Sequence, residues 1–280
     1  MKEVKLSIDY DQYEEGKKMQ DLLEELAASP ASGELTSLII GDWGGSYEND
    51  SSETVEALVR LKERFPKLRK LFLGDMGFEE CEVSWIMQSN LGPLLTAYPE
   101  LTSLTIKGST GLSLDPAAHG KLEELVIICG GLSREVLAAI RDGQFPELTK
   151  LELYLGVDQY GFDGSLDDVL PLAEPGKFPK LTYLGLKDSE IQDEIAIALA
   201  DSPILDQLHT LDLSMGTLSD EGAEALLQSE RVRKLQLLNL SYHYMSDSML
   251  ERWKQTGLNV NLDEQQDADD DDYRYPALTE

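Results

Sequence analysis

Asp42, Asp75 and Asp188 each stand two residues behind a short apolar segment, and Glu79, Glu80 and Glu82 follow Asp75 closely. Carboxylates gathered on one rim could take Ca²⁺ or Mg²⁺ through oxygen, or grip a cationic ligand. The plainer reading is favoured: each aspartate accepts amide hydrogen bonds from its own turn. No EF-hand or nonapeptide calcium pattern occurs in the sequence. Cys81 is a candidate thiol nucleophile, but the carboxylates beside it raise its pKa and disfavour thiolate. Cys129, between Ile128 and Gly130, reads as packed. His119, His209 and His243 show no zinc-ligand spacing, and no phosphate-binding or nucleophile-elbow glycine motif is present. Ser214, Ser241, His243 and Asp212 could be assembled into a Ser/His/Asp set, yet repeated folds place polar residues side by side routinely. The sequence therefore gives no catalytic residue, cofactor site or metal site, and the expectation is that the protein is not an enzyme.

The elements that would position these residues are set by a repeat. The pattern L-x-x-L-x-L, with Ile allowed last, begins at Leu35, Leu68, Leu101, Leu122, Leu148, Leu181, Leu208 and Leu235. The starts are 33, 33, 21, 26, 33, 27 and 27 residues apart. Each copy is a short strand whose leucines face one side. Ser133, Ser219 and Ser246 are suited to cap a following helix, with Gln192 in the same place. Asp193, Glu194, Asp220 and Glu221 then fall in first turns, where the helix dipole favours anions. Gly143, Pro203 and Gly257 end helices. Pro66, Pro99, Pro146 and Pro179 follow an aromatic residue and turn the chain back toward the next strand. One such unit cannot cover its own apolar face, so neighbours must stack. The expected fold is an α/β leucine-rich-repeat solenoid, a right-handed α/β horseshoe with a parallel sheet on the concave face and helices on the convex face.

Residues 1–34 read as a degenerate N-terminal capping unit, with a strand at Val4, Leu6 and Ile8 and a helix over 12–28. The solenoid is expected over 35–262, closing with a short strand at Val260 and Leu262. Trp85, Ile86 and Leu91, which break the repeat rhythm, read as core. Residues 263–280 carry eight acids against one arginine, and composition predicts disorder there. The whole chain has 53 acidic and 24 basic residues, a net charge of −29. Such a balance argues against nucleic acid and anionic lipid as partners, since both select clustered Lys and Arg. The start lacks the apolar stretch of a signal peptide, no run suits a membrane helix, and two cysteines make no disulfide framework. A cytoplasmic, monomeric protein is expected.

Several segments, including LIIGDWGGSYENDSS, LFLGDMGFEECEVSWI, LELYLGVDQYG and DLSMGTLSDEGA, resemble a family of bacterial cytoplasmic leucine-rich-repeat proteins of unassigned biochemical function, with ribonuclease-inhibitor-like repeats. The resemblance runs from about residue 35 to the end. It implies a binding module and brings no catalytic residues. It also implies that relatives often carry a longer N-terminal segment, so this chain is expected to begin late.

Residues flanking the strand leucines must face the concave surface, because side chains alternate along a strand. Ten strands would make a face about 45 Å long, the size of a protein or peptide partner. Its apolar half is expected at Ile39, Phe72, Val126 and Ile128, with Tyr154 beside them. Lys70, Glu152 and Tyr183 lie on the same surface. The patch is either a partner site or is covered by the long early inserts. In the tail, Tyr273, Arg274 and Tyr275 follow a run of acids. That segment could dock on a partner, fold back on Lys70, Lys107 or Lys150, or be modified by an enzyme. Two functions follow. The leading one is a noncatalytic scaffold that binds a protein or peptide on its concave face. The alternative is a substrate or carrier whose acidic tail a partner enzyme recognises or modifies.

Overall fold

The structure, a computed structural model, describes residues 2–268 and 273–279. The chain divides into two compact units, residues up to 128 with 138–148, and residues 129–137 with 149–268 and 273–279.

In the first unit β1 (Glu3–Leu6), β2 (Ser37–Ile40), β3 (Lys70–Leu73), β4 (Ser103–Lys107) and β5 (Glu124–Ile128) pair in parallel in chain order. The register sets Leu38, Leu71, Leu104 and Leu125 in one row and Ile40, Leu73, Ile106 and Ile127 in the next. None of the eight is more than 2% exposed. Residues 1–34 thus contribute a strand, β1, that pairs with the first full repeat. The helix expected over 12–28 is two helices, α1 (Tyr10–Glu14) and α2 (Met19–Ala28). Asp9 caps the first, and Gly16 at φ +82° breaks the run in a conformation that side-chain-bearing residues resist. Helix α2 turns Met19, Leu23 and Ala27 inward. Helices α3 (Ser52–Arg60) and α4 (Gly92–Ala97) follow β2 and β3. The residues of α5 (Arg134–Asp142) are divided between the units.

The aromatic residue of each aromatic–proline pair is a core plug. Phe65, Tyr98 and Phe145 are at most 3% exposed. The Tyr98 hydroxyl donates to the Leu58 carbonyl at 2.7 Å, so its polar end is satisfied where it is buried.

The second unit repeats the plan. Strands β6 (Lys150–Gly156), β7 (Tyr183–Ser189), β8 (Thr210–Asp212), β9 (Leu237–Asn239) and β10 (Val260–Asn261) pair in parallel where their register is defined. Leu151, Leu184, Leu211 and Leu238 form the buried row. Helices α6 (Leu166–Val169), α7 (Gln192–Ala200), α8 (Asp220–Gln228) and α9 (Asp247–Thr256) follow the strands, and Gly257 ends α9 at φ +69°.

Successive helix starts are fastened to one another. Ser219 caps α8 and gives its hydroxyl to Asp193 Oδ2 at 2.6 Å. One repeat later Ser246 caps α9 and gives its hydroxyl to Asp220 Oδ2 at 2.7 Å. The serine thus caps its own helix and bonds the helix before it. We expect Ser246→Ala and Asp220→Ala each to cost about 1 kcal/mol. The double variant should cost less than the sum, because the two share one contact. Urea unfolding measures this; strictly additive losses would show that the pair does not couple the repeats.

Candidate partner-binding face and docked tail

Alternation sends every residue that flanks a buried leucine to the open side of the sheet. In the first unit this places Ile39, Phe72, Thr105 and Val126 directly beside one another across β2 to β5. Ile128 pairs with Lys107 one step further along. Ile39, Phe72, Val126 and Ile128 are all half-buried, so each keeps some surface open. Lys70 is exposed at the start of β3, beside Ser37 and Ser103. Lys107 is not an open cation: its ammonium donates to the Met76 carbonyl at 2.5 Å. What remains is a short row of half-buried apolar side chains, interrupted by Thr105.

The open side of the second unit is charged and already internally paired. Glu152, Gly185, Asp212 and Asn239 form its central row. Lys187 Nζ lies 3.3 Å from Glu152 Oε1, 3.7 Å from Asp212 Oδ2 and 3.2 Å from the Tyr154 hydroxyl. It also sits 4.7 Å above the Tyr154 ring. Lys150 reaches Glu152 Oε2 at 2.8 Å and stacks over the Tyr183 ring at 4.7 Å. The Tyr183 hydroxyl donates to Asp212 Oδ2 at 2.7 Å, and the Ser214 hydroxyl donates to Asp212 Oδ1 at 2.6 Å. Two lysines therefore balance two carboxylates. Gly185 lets them close over it: a Cβ there would stand 3.1 Å from Glu152 Cγ. Burial works against the Lys187 charge, yet Asp212, Tyr154 and Glu152 outweigh it and hold the amine above the ordinary lysine value. Burial likewise raises the Tyr154 and Tyr183 hydroxyls.

Of the residues expected on the binding surface, Ile39, Phe72, Lys70, Val126 and Ile128 thus share the first unit's face. Glu152, Tyr154 and Tyr183 share the second unit's network. Tyr154 does not line an apolar wall; its ring and hydroxyl are engaged by Lys187. The sequence marked Lys187 and Lys150 only as face positions, because the repeat pattern does not reveal which side chains pair across strands.

The rim aspartates have separate tasks. Asp42 Oδ1 accepts the Gly44 and Ser46 amides at 2.8 and 3.2 Å, the turn-capping role favoured from sequence. Asp75 is bridged to Lys5 at 3.0 Å. Among the described residues no group of three or more His, Cys, Asp and Glu is placed to hold a metal ion. Cys81 is buried, and burial, then the charges of Asp42 and Glu82, push its thiol pKa up. Cys129 is fully buried. His243 is buried too: one ring nitrogen meets the Leu262 carbonyl at 3.1 Å and the other accepts the Met245 amide at 3.2 Å. Both nitrogens are occupied by backbone, which leaves none for a Ser/His/Asp set. Ile86 and Leu91 are core as expected, but Trp85 is 60% exposed. A short 3₁₀ turn, Val83–Trp85, buries Val83 instead.

Comparisons with known proteins agree with this architecture. The family description "Leucine Rich repeat" matches residues 179–200 and 208–227. No curated protein matched the sequence. An internalin from Listeria monocytogenes is similar at 18% identity and a TM-score of 0.33, over 86% of this chain and 76% of its own. A protein from Bacteroides fragilis, known as a crystal structure, is 35% identical with a TM-score of 0.90, over 99% of this chain and 77% of that one. The chain belongs to the same family as this Bacteroides fragilis protein, and its fold is an α/β leucine-rich-repeat solenoid.

Within this leucine-rich-repeat protein, Asp188, Met215 and Tyr242 are equivalent positions of three successive repeats, each two residues past the last strand leucine. All three hold a left-handed backbone, at φ +56°, +70° and +57°. Gly108 holds the corresponding position of the first unit, two residues past Ile106, at φ +92°. A left-handed turn costs a side-chain-bearing residue about 1 kcal/mol, so these positions retain strain.

The tail lies across them. Arg274 donates to Asp193 Oδ2 at 2.9 Å and to the Thr217 carbonyl at 2.7 Å. The Tyr275 amide donates to the Tyr244 hydroxyl, which in turn donates to the Tyr275 carbonyl, both at 2.9 Å. The Ala277 amide donates to the Met215 carbonyl and the Leu278 amide to Asp188 Oδ1, both at 2.8 Å. Pro276 is buried. Residues 273–279, within the segment for which composition predicts disorder, thus make defined contacts with the protein's own loops. Composition averaged over the tail hides that the acids crowd its first part, while Arg274, Pro276 and Leu278 follow. Residues 269–272 lie outside the described residues. The segment docks on loops after the strands and not on the face lysines.

Asp188 is fully buried, and among the described residues its Oδ2 has no hydrogen-bond partner. Burial pushes its carboxyl up to about 8, against the pull of the Leu278 amide and the Lys187 charge. A carboxyl raised on folding disfavours the folded state increasingly as pH climbs from its unfolded value near 4 to the folded one. We expect Asp188→Asn, which also suits a left-handed turn, to gain Tm over the parent progressively from pH 5 to 8 and then level off. A Tm difference that does not change with pH would contradict this. In the face network we expect Lys187→Ala to lose about 3 kcal/mol in urea unfolding, since it leaves Glu152 and Asp212 facing each other without their shared cation. A loss under about 1 kcal/mol would mean solvent already screens the pair.

Proposed function

We propose that this leucine-rich-repeat protein is a noncatalytic scaffold that holds a protein or peptide partner on the open face of its sheet. The observation that carries the reading is the neighbouring pair Ile39 and Phe72, with Val126 beyond Thr105 in the same row, all partly open to contact. A surface of adjacent half-open apolar side chains gains most when a partner removes it from water. The second unit supports the same reading with a charge-balanced surface whose side chains are held by one another. Such a surface loses little freedom on binding, and it offers aromatic edges at Tyr154 and Tyr183. The residues we assign to partner contact are Ile39, Lys70, Phe72, Val126 and Ile128 in one unit, and Glu152, Tyr154 and Tyr183 in the other.

The cytoplasm suits two free, buried cysteines. Among the described residues no helix is long and apolar enough to cross a membrane. The net charge of −29 disfavours nucleic acid as the partner. A modified or enzyme-read tail is the weaker reading, because Tyr273–Thr279 includes the residues that dock on the protein's own loops.

The test is affinity capture from cell lysate with the parent, the double variant Ile39→Lys with Phe72→Glu, and the helix control Glu56→Lys. We expect prey held by the parent and the control to fall at least ~10-fold on the double variant, with circular dichroism unchanged. Equal capture by all three, with the fold intact, would overturn the face assignment.

A further inference from the structure

The tail contacts describe a recognition site. Three consecutive repeats present, in order, the Tyr244 hydroxyl, the Met215 carbonyl and the Asp188 carboxyl, and the tail meets them with its backbone. Three amides, of Tyr275, Ala277 and Leu278, are taken up this way. Backbone contacts of this kind give affinity without regard to sequence, as in strand addition at a sheet edge. Selectivity comes from two places. Arg274 is gripped by Asp193, itself only 8% exposed, together with the Thr217 carbonyl. Pro276, two residues on, is buried and has no amide to leave unsatisfied.

Two further observations mark the groove as more than a resting place. Its floor keeps three side-chain-bearing residues in left-handed turns. Among the described residues nothing hydrogen-bonds Asp188 Oδ2, buried beneath the tail, so the described part of the resident segment leaves that oxygen unsatisfied. Strain and an unpaired buried oxygen persist where a site is built for a ligand.

We infer that the groove formed by Asp188, Asp193, Met215, Thr217 and Tyr244 is a peptide-binding site for an extended segment of another protein, bearing Arg, then Pro two residues later, then a small and an aliphatic residue, and that the chain's own tail is its displaceable resident. Charge complementarity favours this partner: the anchor is a carboxylate on a strongly acidic protein. The tether disfavours exchange with a second copy. Gln266 is fixed to the His243 carbonyl at 2.8 Å and Tyr275 to neighbouring Tyr244, so the intervening chain leaves and returns at adjacent residues. Its eight residues reach about 28 Å at most.

The test uses the full chain and a fluorescent peptide, YRYPALTE. The tail is released by Arg274→Glu with Ala277→Pro, which removes the anchor and one amide. We expect this variant to bind the peptide at least ~100-fold more tightly than the parent, whose groove is occupied. The scrambled peptide YPYRALTE should bind at least ~10-fold more weakly. No binding by the folded variant, with amide exchange showing the tail released, would overturn the site. Retained exchange protection at Tyr275 and Leu278 in the variant would overturn the assigned contacts, and equal binding of the scrambled peptide would overturn the Arg and Pro selectivity. Should the variant fail to fold, the parent serves: millimolar peptide should strip exchange protection from the tail amides, and unchanged protection would refute displacement. A parent that doubles in mass on concentration, losing the dimer when its tail is released, would assign the groove to a second copy and refute the partner reading.

Discussion

No repeat in this protein can close its own hydrophobic face, and everything else in the structure depends on that. A strand of four or five residues turns two leucines inward, and neither they nor the strand's amides are satisfied without the next strand. Stacking satisfies both at once. Leu38, Leu71, Leu104 and Leu125 are buried because they stand in register, and they stand in register because the backbone ladder fixes it. Burying each leucine contributes roughly 2 kcal/mol, so the rows are the dominant stabilising term. The buried aromatics of the aromatic–proline turns fill the core, and two serine–aspartate bonds join successive helix starts, α7 to α8 and α8 to α9.

Because the inward side carries the stability, the outward side of each strand is free to carry something else. The two units use that freedom differently. The first leaves an apolar row with one exposed lysine. The second sets Lys187 among Glu152, Asp212 and Tyr154, each satisfied by the others. An arrangement of that kind gives little net stability, since desolvating the charges offsets their attraction. Its effect is to hold side chains in fixed positions. A surface that is rigid before binding loses less entropy on binding.

The repeat and the alternation were legible because both are local. Leu148, Leu151 and Leu153 announce a strand, and the same rule turns Glu152 and Tyr154 to its other side. Local rules stop at the strand edge. That Lys187 would find Glu152, 35 residues earlier, depends on the length of the intervening helix and turn. Gly16 breaks a helix that the apolar spacing alone would continue, because spacing carries no information on backbone hand. Trp85 looked like core by residue type, whereas a short turn buries Val83 in its stead. The tail misled most: its acids govern the composition, but Arg274, Pro276 and the Leu278 amide govern where it lies.

We propose that the open side of the sheet is where the protein meets its partner. Amide hydrogen exchange of the chain, alone and with its captured partner, tests that most directly. The account predicts slower exchange, on partner addition, in the peptides spanning Ser37–Ile40, Lys70–Leu73 and Glu124–Ile128, with helices α3 and α7 unchanged. Protection confined to those helices, with the strands unaffected, would contradict it.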